Sequence, residues 1–284
     1  MDKGGGESNF ITLDNVEISE KNLLQAINSL KINKKEGVDG LNSTIFVESK
    51  NGLCLPLLKL FKASMELGKV PNDWKLANVS PIFKKGSKRD PGNYRPVSLT
   101  CQACKILEKI LKEEIINFLE ENKRLSNSQH GFRSKRSCLT NLLEFTEQVL
   151  EHMDNRESVD VLYFDLQKAF DKVPHRSLLH KLHKIGIRGN ILKWIEDWLS
   201  GRKQRVVLNG EKSSWIDVTS GVPQGSVLGP ILFIIYINDI DENIVNKFWK
   251  FADDSKMIGK VGSEQNIATV KNDLQELIDW SDRW

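Results

Sequence analysis

Apolar residues recur at helical spacing along much of the chain. Leu23, Ala26, Ile27 and Leu30 follow Ser19, whose hydroxyl can cap a helix N-terminus, and predict a first helix. Gly37-Val38-Asp39-Gly40 then breaks the chain. Leu60, Phe61 and Met65 predict a second helix, over Leu57–Leu67, that stops at Gly68, where glycine takes a left-handed C-cap without penalty. Helical periodicity returns at Lys105–Glu120, Leu139–Leu150, Ser177–Ile185 and Ile191–Leu199. Val159, Val161, Leu162, Tyr163 and Phe164 instead form a short β-branched and aromatic run that ends on Asp165 and reads as a buried strand. Gln204–Leu208 and Trp215–Thr219 flank Asn209-Gly210, a hairpin signal because both turn residues tolerate positive φ. A second hairpin is predicted from Lys247–Phe251 and Ser255–Val261, turning at Asp253-Asp254, with a polar-faced helix from Glu264. Helices mixed with hairpins, without regular βα alternation, predict the α+β class.

Composition narrows this picture. With 39% hydrophobic and 28% charged residues among 284, the chain can bury a core and is not disordered throughout. No 20–50-residue repeat is present, which excludes solenoids and propellers. The longest apolar run, Ile231–Ile237, falls far below the roughly 18 residues of a membrane span, so no membrane partner is expected. Four cysteines and no apolar leader at the N-terminus predict an intracellular rather than secreted protein. The first eighteen residues, with Gly4-Gly5-Gly6, are expected to be a flexible lead-in.

Net charge is only +3, so the distribution of charge decides. A loop-rich segment, Pro71–Pro96, carries Lys84, Lys85, Lys88, Arg89 and Arg95 against Asp73 and Asp90. Lys123–Arg136 holds five basic residues and no acid. Two such connections predict a groove that tracks a phosphate backbone.

A carboxylate at the end of an apolar strand, and two adjacent carboxylates in an apolar hairpin turn, are costly unless a cation neutralises them. Asp165 and Asp253-Asp254 therefore suit hard oxygen ligation of Mg²⁺ that also grips substrate phosphates, although Asp pairs also occur as plain turn residues. Other groups read as structural. Cys101-x-x-Cys104 has half a zinc spacing with no second pair, His180 and His183 lack a third ligand, and Trp194 and Trp198 make a packing stripe.

The residues around these carboxylates carry a resemblance. Phe164-Asp165-Leu166-Gln167-Lys168-Ala169-Phe170-Asp171 resembles motif A of the reverse transcriptases of non-LTR retrotransposons, of the jockey-like, LINE-type class. Gly221-Val222-Pro223-Gln224-Gly225-Ser226 resembles motif B, and Phe251-Ala252-Asp253-Asp254 resembles motif C. Pro81-Ile82-Phe83-Lys84-Lys85-Gly86 and Asn93-Tyr94-Arg95-Pro96 resemble the fingers motifs, and Gln129-His130-Gly131-Phe132-Arg133 is a further block. The blocks occur in the family's order over Val70–Trp284.

The resemblance implies a right-hand polymerase with a ferredoxin-like palm and helix-rich fingers. Residues 19–158 would be fingers, 159–186 palm with motif A, 187–218 a fingers or palm insertion, and 219–284 palm with motifs B and C, ending before a thumb. It implies an RNA-directed DNA polymerase that joins deoxynucleotides to a primer 3′-hydroxyl with two Mg²⁺ ions, Mn²⁺ being the alternative. Asp165, Asp253 and Asp254 would be catalytic metal ligands. Lys84, Arg95, Phe170 and Gln224 would contact the triphosphate substrate, and Lys85, Lys88, Arg89, Arg133 and Gly225 the nucleic acid, with Lys85 replacing Lys84 if the register is shifted by one. Partners would be an RNA template, a DNA primer and deoxynucleoside triphosphates, in a ribonucleoprotein of the nucleus and cytoplasm. The alternative is a catalytically silent remnant of a retroelement that only binds nucleic acid.

Overall fold

A computed structural model describes residues 10–32 and 36–284. The Gly4-Gly5-Gly6 lead-in lies outside the described residues. Of that expected lead-in, residues 10–18 are described and docked: Leu13 N–H donates to the Gly186 carbonyl at 2.9 Å, its carbonyl accepts from Arg188 N–H at 3.0 Å, and Ile18 is buried.

Helix α1 (Glu20–Asn28) starts at Ser19, which forms a reciprocal capping box with Asn22 and buries Leu23, Ala26 and Ile27. A short α2 (Ser43–Glu48) leads into α3 (Lys50–Leu67), which begins earlier than its apolar pattern and ends at Gly68 with φ of 60°. The basic segment predicted as loop is instead a β-hairpin, β1 (Leu76–Phe83) and β2 (Tyr94–Leu99), with its lysines gathered in the connection. Pro81 and Pro96 concealed it, because proline in a strand argues against pairing; here the two face each other in register.

Next come α4 (Gln102–Glu121), α5 (Cys138–Asp154), β3 (Val159–Asp165), the single turn α6 (Ala169–Lys172), α7 (His175–Ile185) and α8 (Gly189–Leu199). β4 (Arg202–Leu208), β5 (Glu211–Lys212) and β6 (Ile216–Val218) follow, then α9 (Gly229–Tyr236), β7 (Lys247–Phe251), β8 (Asp254–Lys260) and α10 (Glu264–Arg283). Asn209 and Gly210 both have positive φ, as the hairpin prediction requires, but the returning strand is split between β5 and β6, both paired with β4.

The strands form two sheets. One runs β2-β1-β4, with β5 and β6 sharing the far edge of β4; β1 and β4 are parallel. The other is antiparallel, ordered β3-β8-β7. β3 is thus an edge strand, and the prediction of a buried one is corrected: Tyr163 is 74% exposed and Val161 also faces solvent. The main core lies among the helices. Trp194 and Trp198 are fully buried and stacked, and α9 is apolar on all sides because it runs through this core. Cys101 and Cys104 are buried at the start of α4.

Candidate active site

The antiparallel register of β3 and β8 sets Asp165 opposite Asp254. β7 and β8 are joined through Ala252 and Asp253, with Phe251 paired to Asp254. Ala252 has φ of 55°, a conformation that costs an L-residue ~1–2 kcal/mol. Three carboxylates from two separate chain segments are thereby gathered at one end of the sheet. Among the described residues, no other residue hydrogen-bonds or ion-pairs with any of the three carboxylates. Burial pushes the Asp253 carboxyl above its ordinary pKa; its own backbone amide pulls back, Asp254 and Asp165 push further up, and Arg95 pulls down. Arg95, exposed on β2, is near enough for its charge to be felt at Asp253.

Motif B is fastened to motif A and to β2. Val222 N–H donates to the Phe170 carbonyl at 2.8 Å, Gly221 N–H to the Val173 carbonyl at 2.8 Å, and Gln224 Nε2 to Asp171 Oδ1 at 3.0 Å. Gly221 is required, since a Cβ there would stand 2.5 Å from the Asp171 carbonyl oxygen. Gln224 also accepts from Ser98 N–H at 2.7 Å, and Gly225, at φ of 111°, lies so near the Ser98 carbonyl that a Cβ would approach within 2.6 Å. The Gln224-Gly225 step thus lines the free edge of β2. The half-buried Phe170 ring stacks on Phe233 of α9, centroids 4.4 Å apart.

The basic residues divide. Lys84, Lys85, Lys88 and Arg89 are exposed in the β1–β2 connection, with Lys88 over the Phe83 ring. Arg133, expected to touch nucleic acid, is turned inward. It grips both oxygens of Glu120, at 2.9 and 2.5 Å, and the Ser126 carbonyl at 2.8 Å. Arg136 faces His130 and Glu144, and Arg124 stacks over Phe10. The Lys123–Arg136 connection spends these arginines on the fold rather than on a groove, because the acids that neutralise it come from α4 and α5, outside the segment.

The model of the family "Reverse transcriptase (RNA-dependent DNA polymerase)" matches residues 82–284, more than half of the chain. The chain belongs to the reverse transcriptase family. It is 31% identical over 289 residues to the RNA-directed DNA polymerase from mobile element jockey of Drosophila melanogaster, covering 96% of this chain and 30% of that protein. It is 30% identical over 260 residues to the probable RNA-directed DNA polymerase from transposon X-element of the same species, covering 89% of this chain and 28% of that protein. The chain therefore spans less than a third of the length of these relatives. A solved structure of apo telomerase from Candida tropicalis, truncated from its C-terminal domain, superposes with a TM-score of 0.52 at 12% identity, over 83% of this chain and 52% of that one. At that identity the likeness concerns the fold, that of a right-hand polymerase.

Reverse transcriptases generally use divalent metal ions. Among the described residues no group of three or more His, Cys, Asp or Glu is drawn together tightly enough to cage an ion. Asp253 is desolvated beside Asp254 and Asp165, like charges that a bound divalent cation would neutralise.

Two supporting residues of this reverse transcriptase fold escaped the sequence reading. Glu108 of α4 is fully buried and accepts from Val227 N–H at 2.6 Å and Leu228 N–H at 3.1 Å, fixing the chain between motif B and α9. Its only signal was a charge on the apolar face of a helix. Gln129 Oε1 accepts from Ala252 N–H at 3.1 Å, next to Asp253.

Proposed function

We propose that this chain carries out RNA-directed DNA synthesis as the polymerase portion of a non-LTR retrotransposon protein. The observation that carries the reading is the pairing of Asp165 with Asp254 across β3 and β8, with Asp253 beside them in the turn from β7. The sheet bearing the carboxylates serves as palm, and the β1–β2 hairpin with its neighbouring strands as fingers.

In the reaction a primer 3′-oxygen bonds to the α-phosphorus of a deoxynucleoside triphosphate, the bond to the β-phosphate oxygen breaks, and pyrophosphate leaves. Two Mg²⁺ ions, when bound, lower the pKa of the attacking hydroxyl and neutralise charge on the attacking and leaving oxygens. Asp165 and Asp253 would hold them, and Asp254 would support the acidic cluster. Arg95 presents a planar guanidinium fork to the triphosphate, and Lys84, or Lys85 in the alternative register, adds a point charge. Gln224 and Gly225 border the nascent base pair, and the half-buried Phe170 ring lies against the sugar edge. Lys85, Lys88 and Arg89 neutralise backbone phosphates. Arg133 is withdrawn from that role because Glu120 occupies it. The RNA template and DNA primer would be met in a ribonucleoprotein of the nucleus and cytoplasm.

The test is incorporation of labelled deoxynucleotide onto a DNA primer annealed to RNA. Template-directed, Mg²⁺-dependent extension is expected; extension without a template, or none at any divalent metal concentration, overturns the reading.

A further inference from the structure

The segment Ser128–Gly131 takes no part in the chemistry just described, yet it is built against the turn that carries Asp253. Gln129 and Lys250 form a parallel bridge beside β7. Lys250 N–H donates to the Ser128 carbonyl at 2.8 Å, and His130 N–H donates to the Lys250 carbonyl at 2.8 Å. Both ends of the contact are anchored again through Asp241, which accepts from Ser128 Oγ and from the buried Lys250 ammonium, each at 2.5 Å.

Within this brace the Gln129 side chain, 1% exposed, crosses to the turn. Its Oε1 accepts from Gly131 N–H at 2.8 Å and from Ala252 N–H at 3.1 Å. A Cβ at residue 131 would sit 2.5 Å from the Ala252 nitrogen, so only glycine admits this approach. The side-chain orientation is not free. Rotating the amide by half a turn would aim Nε2 at two N–H donors, so Oε1 must occupy this place. As a result Nε2 is buried without a partner, an arrangement that stability alone disfavours. Ala252, which donates the second of these bonds, has φ of 55° and directly precedes Asp253. Holding its amide fixes the Phe251–Ala252 peptide plane, one peptide before the one that carries the Asp253 amide.

We propose that Gln129 is a positioning residue for Asp253: its carbonyl oxygen clamps the Ala252 amide in the left-handed turn, and Gly131 makes room for the clamp. The role as catalytic support rests on the nucleotidyl-transfer reading, whereas the clamp itself can be observed without activity.

The test uses the full chain with Gln129→Met, which keeps length and loses the acceptor, and Gln129→Glu, which keeps an acceptor. Hydrogen exchange at the Ala252 amide, without metal or nucleic acid, should accelerate about 10-fold in the Met variant, the effect of one lost hydrogen bond, with the β8 amides unchanged. The Glu variant should restore protection. In single-nucleotide extension, the Met variant should lose roughly 10- to 100-fold in kcat, as a misplaced catalytic group does, with the KM for primer–template within about twofold. The Glu variant should recover part of that loss. Unchanged exchange at Ala252 in the Met variant removes the clamp, and this holds even if wild-type chain proves inactive, an outcome that instead overturns the proposed function. Accelerated exchange with unchanged kcat removes the catalytic role. If Gln129→Met does not fold, the Glu variant decides: lost protection at Ala252 in a folded Glu variant contradicts the clamp.

Discussion

Asp165 and Asp254 are partners in the β3–β8 register, 89 positions apart in sequence and directly across from each other in the sheet. Since β3 is an edge strand and Asp253 directly precedes β8 in the turn, the pairing delivers three unpaired acids to a solvent-facing sheet end. Like charges held so closely oppose folding, and the first prediction follows from that cost.

Asp253→Asn should raise the melting temperature at pH 7 without divalent metal, by about 1–3 °C. The folded pKa of Asp253 lies above its unfolded value, so the protonated form is the one the fold favours. The stability it lends is present in acid below the unfolded pKa and is lost as pH rises through the folded pKa. The advantage of the Asn variant should therefore shrink as pH falls into the carboxylate range. Added Mg²⁺ should stabilise wild type more than the variant. Melting curves at pH 3.5, 5 and 7 check this, and an Asn variant less stable than wild type at pH 7 contradicts it.

The exposed connection between β1 and β2 should supply much of the salt dependence of nucleic-acid binding. Replacing Lys85, Lys88 and Arg89 together by Ala should reduce the slope of log K against log salt by about 3, since each neutralised duplex phosphate contributes about 0.9. Arg133→Ala should leave that slope unchanged. It should instead lower stability by roughly 1–3 kcal/mol, because Glu120 loses its charge-assisted partner. Fluorescence anisotropy titrations at several salt concentrations, with denaturant melts, separate the two effects.

Phe170→Ala should raise incorporation of ribonucleotides relative to deoxynucleotides, because a ring beside the sugar excludes a 2′-hydroxyl by overlap and offers it no hydrogen bond. Loss of the Phe233 stacking should also lower stability by about 1–3 kcal/mol for this half-buried ring. The ratio of kcat/KM for the two nucleotide types checks the first effect. A destabilised variant with an unchanged ratio would assign the ring to packing alone.

What could be read from sequence followed from local chemistry. The Asn209-Gly210 turn, the Ser19 cap and the Gly68 stop each depend on a few adjacent residues and formed where those residues stand, while the β7–β8 hairpin formed with its turn one residue earlier, at Ala252-Asp253 rather than Asp253-Asp254. Relationships across long separations were not legible. The parallel pairing of Leu76–Val79 with Lys203–Val206 leaves no periodic trace, and it turned a predicted loop into part of a sheet. Tyr163 and Val161 looked like core residues because apolar character alone does not tell an edge strand from a central one. Arg133 looked available because its partner, Glu120, lies beyond the segment whose charge was counted. At the site, the carboxylates were legible as costly placements, while the Gln129 and Glu108 supports consist of side chains binding distant backbone amides.

The central claim is that Asp165 and Asp253 hold the metal ions with Asp254 beside them, and the most direct measurement is primer extension on an RNA template by wild type, Asp165→Asn and Asp253→Asn. Circular dichroism on the same samples should show all three folded. Wild type should extend the primer, and each Asn variant should fall by roughly 10³-fold or more in kcat, because removing one carboxylate charge weakens the ions that offset transition-state charge. A folded Asn variant that extends at a rate near that of wild type would contradict the assignment.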